Sequence, residues 1–211
     1  STQGVSSAAS DVYKRQVRGC KADGCRIIAT GEMGIGNTTT SAAMAAAMLR
    51  CDVATVTGRG AGLNDSGLEK KIRVIENAIE KYDLYNKDTF EILMTVGGLD
   101  IAGLVGVCIG GALYHIPVVL DGVISMVSAL AAGRLLSGVN DFIIPSHEGS
   151  EPAVALLCEA LSVRPVIRAS LALGEGTGAV MMFALLDMAL SVYKGRTTFD
   201  DISVSQYERY V

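Results

Sequence analysis

The chain has 211 residues, a formal charge of −4 and a pI near 5.2. That length suits one domain with a substantial core, and an acidic balance without a basic stripe argues against a nucleic-acid partner. Half of the residues are hydrophobic but only 5% are aromatic and none is Trp, so the core has to be built from Ala, Val, Ile, Leu and Met. Cys20, Cys25, Cys51, Cys108 and Cys158 form no Cys-x-x-Cys pair and lie mostly in apolar or Ala-rich sequence, which fits reduced, buried thiols and a cytoplasmic protein. His115 and His147 are far apart and no His/Cys/carboxylate group has ligand spacing, so no metal site is expected.

Residues 1–16 are small and polar, end in Asp-Val-Tyr-Lys-Arg-Gln and show no useful periodicity; they read as an unstructured leader or artefact, with no signal-peptide pattern. Val17–Gly24 looks like the last turns of a helix. Arg26–Ala29 is strand-like, Ser41–Leu49 is helix-like, and between them lies Thr30-Gly-Glu-Met-Gly-Ile-Gly-Asn-Thr-Thr-Thr40. A glycine-rich turn from strand to helix offers open backbone N–H groups beside the positive end of a helix dipole, a natural seat for phosphate. Asn37 or Thr38 is placed to cap that helix. The same glycines also suit a tight turn of purely geometric purpose.

Gly58-Arg59-Gly60 is a second glycine-rich turn, whose guanidinium suits phosphate or carboxylate as well as plain solvent. Leu68–Tyr82 is an amphipathic helix with Leu68, Ile72, Ile75 and Ile79 on one face and Lys and Glu on the other. Asp88–Val96 is a short helix. Ile101–Leu120 has no charge and is nominally long enough to span a bilayer. Tyr114, His115 and Pro117 divide it into a helix and a buried strand, however, and Asp100 and Asp121 bracket it without Lys or Arg, so no membrane span is expected. Gly106-x-x-x-Gly110 then reads as close helix packing.

Asp121 follows strand Ile116–Leu120. At the carboxyl end of a strand it suits ribose hydroxyls, and equally a plain cap for helix Val123–Leu136. Strand Asp141–Ile144 runs into Ser146, His147 and a polar loop, where Ser150 is placed to cap helix Ala153–Leu161 with Pro152 in its first turn. His147 suits an acid or base role, or a surface hydrogen bond. Pro165–Ile167 precedes the last turn, Leu173-Gly-Glu-Gly-Thr-Gly178, which sets Glu175 between glycines before an apolar helix, Ala179–Leu190. From Ser191 the chain is polar, and 201–211 reads as a tail. This alternation predicts an α/β fold: a Rossmann-like, mostly parallel sheet with helices on both faces and its loops along one edge.

The motifs resemble those of the nicotinate-nucleotide:dimethylbenzimidazole phosphoribosyltransferases. The similarity runs from about residue 18 to 199: Gly31–Thr39, Gly58-Arg-Gly60, Gly97-Gly-Leu-Asp-Ile-Ala102, Pro117–Gly122, Ser146-His147 with Glu151-Pro152, and Leu173–Ala179. The resemblance implies a catalytic domain over 17–200, N-terminally truncated relative to the family. It implies transfer of phosphoribose from nicotinate mononucleotide to 5,6-dimethylbenzimidazole in cobalamin biosynthesis, without metal or organic cofactor, in a homodimer. It assigns the general base to Glu175, with Glu32 as runner-up and His147 third. Glu32, Met33, Gly34, Ile35, Gly36, Asn37, Gly58, Arg59, Gly60, Asp121, Ser146, His147, Gly174 and Gly176 form the substrate site. Departures are Leu171-Ala172 for Leu-Arg, Asp100 for Glu, and Ser-His-Glu-Gly-Ser-Glu-Pro-Ala for the usual loop. The alternatives are a nucleotide-binding fragment without catalysis, or another α/β transferase on the same loops.

Overall fold

The computed structural model describes residues 2–171, 173–195, 198 and 201–205. The tail therefore lies largely outside the described residues, as does Ala172. Three short strands, β1 (Ile28–Ala29), β2 (Val118–Leu120) and β3 (Ile143–Pro145), pair in parallel in that order. Ile28 faces Val118, and Val118 faces Ile143, so all three strands end along one edge. A single parallel bridge between His147 and Ile167 carries the pairing one step further. The strands are shorter than the apolar runs in the sequence. Residues Val139–Phe142 coil into a 3₁₀ turn before β3, and Ile167 alone of Pro165–Ile167 joins the sheet.

Alternate residues of β2 serve opposite layers, as the period of a strand requires. Val118 and Leu120 belong to the larger core with α2 (Asn37–Leu49), α6 (Leu99–Tyr114) and α7 (Val123–Leu135). Val119 points the other way, to Ala179 and Met182 of α9 (Thr177–Gly195) and to Ile167. Helices thus cover both faces, and the α/β expectation is met. Helix α2 is buried from Ser41 to Met48, all round, because its alanines let neighbours approach on every side. Around this core sit α3 (Val53–Val56), α4 (Asp65–Tyr82), α5 (Thr89–Val96) and α8 (Ala153–Leu161). Asn64 caps α4 through the Gly67 N–H, and Asp88 with Glu91 forms a complete capping box on α5. Ser150 does not cap α8: Pro152 precedes that helix directly and no side chain caps it.

The largest departure is at the start. Residues Thr2–Ala22 form one helix, α1, where an unstructured leader over 1–16 was expected. It lies along α6, and the glycines of α6 are the reason: Tyr13 sits over Gly103, the Ser10 backbone over Gly106 and Val17 over Gly110. The Ser10 hydroxyl also donates to the Ala102 carbonyl, 2.7 Å away. The uncharged run at 101–120 is divided as read, with α6 stopping at a left-handed His115 before β2. Helix α9 is long and apolar enough to cross a membrane by length and composition, but its Ala179 and Met182 are seated on the sheet. The thiols are less buried than expected. All five are free, Cys25 is exposed, and only Cys108 is fully enclosed, its thiol pushed up to about 12 by burial.

Gly111 makes the tightest join between α6 and β2. A Cβ there would stand 2.6 Å from Val118 Cγ2 and 2.9 Å from the Ile116 carbonyl. Gly111→Ala is expected to lose about 1–3 kcal/mol through overpacking, read as a lower urea midpoint at unchanged slope. An unchanged midpoint would contradict this packing.

Candidate active-site cleft

The loops that leave the three strands meet at their carboxyl edge. Thr30, at the end of β1, is buried; its hydroxyl lies 3.0 Å from both the Val119 carbonyl and Ser125 Oγ and accepts the Asp121 N–H at 3.1 Å. Ser146, just past β3, donates its hydroxyl to the Asp121 carbonyl at 2.9 Å. That hydroxyl has one proton, so the 3.0 Å contact with His147 Nδ1 takes its proton from the imidazole. Ser146 is fully enclosed and committed to the loop, not open to a phosphate as expected.

The Asp121 carboxylate is likewise engaged. Its Oδ1 accepts the N–H groups of Gly178 (2.9 Å) and Ala179 (3.2 Å), and its Oδ2 that of Gly176 (3.1 Å). It therefore holds the start of α9, 55 or more residues away, and does not cap the helix that follows it. The 174–178 turn is drawn against the 30–31 turn. A Cβ on Gly31 would lie 3.0 Å from Gly176 Cα and 3.1 Å from the Glu175 carbonyl carbon. Gly178 makes room for the His147 ring, which a Cβ would overlap. Gly174, Glu175 and Gly176 are all left-handed, with φ of 75°, 55° and 86°.

A cavity of about 340 Å³ opens here, lined by Glu32, Asn37, Thr38, Gly60, Asp121 and His147 among others. Gly149, Glu151, Leu171, Leu173 and Gly174 close its other side. Helix α2 points its amino end at this region. Gly36, at φ 79°, begins the helix with no side-chain cap, so neither Asn37 nor Thr38 caps it; the Asn37 amide instead donates to the Glu32 carboxylate. Arg59 does not enter the cavity. Its guanidinium folds back on its own loop, to Asp65 and to the Leu63 carbonyl at 2.9 Å. Met33 and Ile35 stand in solvent.

A buried cation stands directly behind Thr38 and Gly60 in the cleft wall, at a position the motifs do not mark. Lys71, in α4, is 6% exposed; its ammonium donates to Thr38 Oγ1 at 3.0 Å and the Gly58 carbonyl at 2.9 Å. Burial lowers its pKa, and the nearby Glu151 carboxylate works in the other direction. Its position one turn before Ile75, on the apolar stripe, was the available signal. No group of three or more His, Cys, Asp or Glu among the described residues is arranged to hold a metal ion.

Opposite charges are grouped in the cleft. Burial raises the Glu32 pKa first, the Asp100 carboxylate raises it further, the Asn37 amide lowers it, and Asp121 and Glu175 add smaller upward pushes. A carboxyl raised above its unfolded value of 4.5 stabilises the fold in its protonated form. That contribution is lost as the pH rises through the folded value. Glu32→Gln, which still accepts from Asn37, is expected to raise the melting temperature near neutral pH, with the gain shrinking as the pH falls toward about 4.5. A loss of stability at neutral pH, or a gain independent of pH, would contradict it.

Comparison with known proteins agrees with this geometry. The family model DBI_PRT, phosphoribosyltransferase, matches residues 4–204. The nicotinate-nucleotide–dimethylbenzimidazole phosphoribosyltransferase of Acetivibrio thermocellus is 43% identical over 188 residues, 89% of this chain and 54% of its own length. That of Desulfotalea psychrophila is 45% identical over 184 residues, 87% of this chain and 52% of its own. The crystal structure of CobT from Thermus thermophilus superposes with a TM-score of 0.88 at 33% identity, covering 96% of this chain and 60% of that one. The chain spans about half the length of the curated relatives it matches. A parallel sheet whose glycine turns close on one cleft, a fold shared with CobT and a family match over nearly all of its length lead to one conclusion: this chain belongs to the nicotinate-nucleotide–dimethylbenzimidazole phosphoribosyltransferase family.

Proposed function

We propose that the chain carries the phosphate side and the general base of a phosphoribosyl transfer. Nicotinate mononucleotide gives its ribose phosphate to 5,6-dimethylbenzimidazole, yielding α-ribazole 5′-phosphate and nicotinate. The observation that carries this reading is the meeting of the 174–178 turn with the 30–31 turn beside a cavity whose Thr38 wall is backed by a buried ammonium. The phosphate belongs near Lys71, Thr38 and the uncapped amino end of α2, where a charge-assisted donor and the helix dipole act together.

The chemistry asks little beyond placement. Nicotinate is bonded to C1′ as a pyridinium and leaves with the pair of the broken C–N bond, becoming neutral at nitrogen. One benzimidazole nitrogen forms the new bond to C1′ while the other loses its proton to Glu175. Orientation and a single base therefore supply the acceleration. In this assignment Glu32, Asn37, Gly60 and His147 line the substrate cavity, and Asp121 and Ser146 hold its walls. The same reading takes the protein to be cytoplasmic and to act as a homodimer.

A second reading has its own support. Because the chain spans about half of its relatives' length, it can retain the nucleotide without turning it over. Nicotinate release from the two substrates decides between them, and calorimetric binding of the mononucleotide without release favours the binding fragment. Glu175→Gln is expected to lower turnover about 10²–10⁴-fold with nucleotide affinity kept; an unchanged rate would remove Glu175 from the role. Lys71→Met is expected to weaken mononucleotide binding about tenfold to a hundredfold, the loss of one charge-assisted contact. Affinity equal to the parent's would place the phosphate elsewhere.

A further inference from the structure

Glu175 is the one non-glycine in a run of three left-handed residues, with φ of 75°, 55° and 86° at 174–176. A side chain in that conformation is strained and persists only where its surroundings impose it. The Thr177 N–H closes the turn on the Gly174 carbonyl at 3.0 Å, the Val180 N–H donates to the Gly176 carbonyl at 2.9 Å, and Gly31 packs against Gly176. The side chain that holds the turn is Asp121, whose carboxylate accepts from Gly176, Gly178 and Ala179.

Asp121 is itself immobilised from both neighbouring strands. Its N–H donates to the Thr30 hydroxyl after β1, and its carbonyl accepts from the Ser146 hydroxyl at the end of β3. It is 7% exposed and pairs with no cation among the described residues. Its carboxylate oxygens take three hydrogen bonds, all from backbone N–H groups.

We propose that Asp121 is the positioning residue for Glu175: by taking the Gly176 N–H on one oxygen and the first turn of α9 on the other, it fixes the left-handed turn that holds Glu175 at the rim of the cleft, next to the lining residue Gly174. The kinetic part of this inference rests on the proposed role of Glu175; the structural part does not. A simple helix cap explains Gly178 and Ala179, which are in the first turn of α9. It does not explain Gly176, which lies outside the helix and directly follows Glu175.

Asp121→Asn separates the two. Its one carboxamide oxygen can keep Gly178 and Ala179, and its NH₂ then faces the Gly176 N–H, donor against donor. Amide hydrogen exchange read residue by residue is expected to show Gly176 opening about tenfold to a hundredfold more often, with Gly178 and Ala179 still protected. Turnover is expected to fall up to about 10²-fold at unchanged affinity for nicotinate mononucleotide, the signature of a misplaced base and not of a lost contact. Retained protection at Gly176 in the variant overturns the proposal. So does an unprotected Gly176 in the unmodified chain, a measurement that stands even if the variant does not fold. Absence of turnover in the parent itself counts against the phosphoribosyl-transfer reading, and the Gly176 exchange still decides the clamp.

Discussion

At the carboxyl end of β2, a buried carboxylate with no counter-ion among the described residues takes three backbone N–H groups from the far end of the chain. Everything that makes a cleft of this edge follows from that arrangement. The strands bring Thr30, Asp121 and Ser146 side by side, and hydrogen bonds from Thr30 and Ser146 fix the Asp121 backbone. The fixed carboxylate then draws the 174–178 turn and α9 onto the sheet, and Gly31 meets Gly176 without a side chain between them. Removing the carboxylate would leave the second wall of the cleft without these hydrogen bonds, held by the packing of Gly31 on Gly176, of His147 on Gly178, and of Ala179 and Met182 on the sheet.

Both signs of charge stand around this cleft. Lys71, buried beside Thr38 and Gly58, and the amino end of α2 favour an anion. The Glu32 carboxylate meets that same helix end through Asn37, and burial first, then the Asp100 carboxylate, raise its pKa against the Asn37 hydrogen bond. In the proposed reading a ribose phosphate lies here with its phosphate toward the ammonium and its C1′ toward Glu175.

Much of this was legible in the sequence, because the signals were local. Each glycine turn follows an apolar run and precedes a helix, so the edge on which the loops gather could be read from alternation alone. What escaped reading depends on distant partners. Asp121 finds its donors 55 or more residues on, and nothing near it in sequence says so. Arg59 is satisfied by Asp65 within its own loop, which a motif match cannot foresee. Lys71 carried a signal, a charge on the apolar stripe of α4, that was assigned to the solvated face. Helix α1 was illegible in its own residues; the evidence lay in the three glycines of α6 that receive it.

The central claim is that one ribose phosphate lies in this cleft. Its most direct test is a crystal structure of the chain with nicotinate mononucleotide bound. The account predicts the phosphate within hydrogen-bond reach of Lys71 Nζ and the first turn of α2, with C1′ turned toward Glu175. A nucleotide seated on another surface, or with its phosphate away from Lys71, would contradict it.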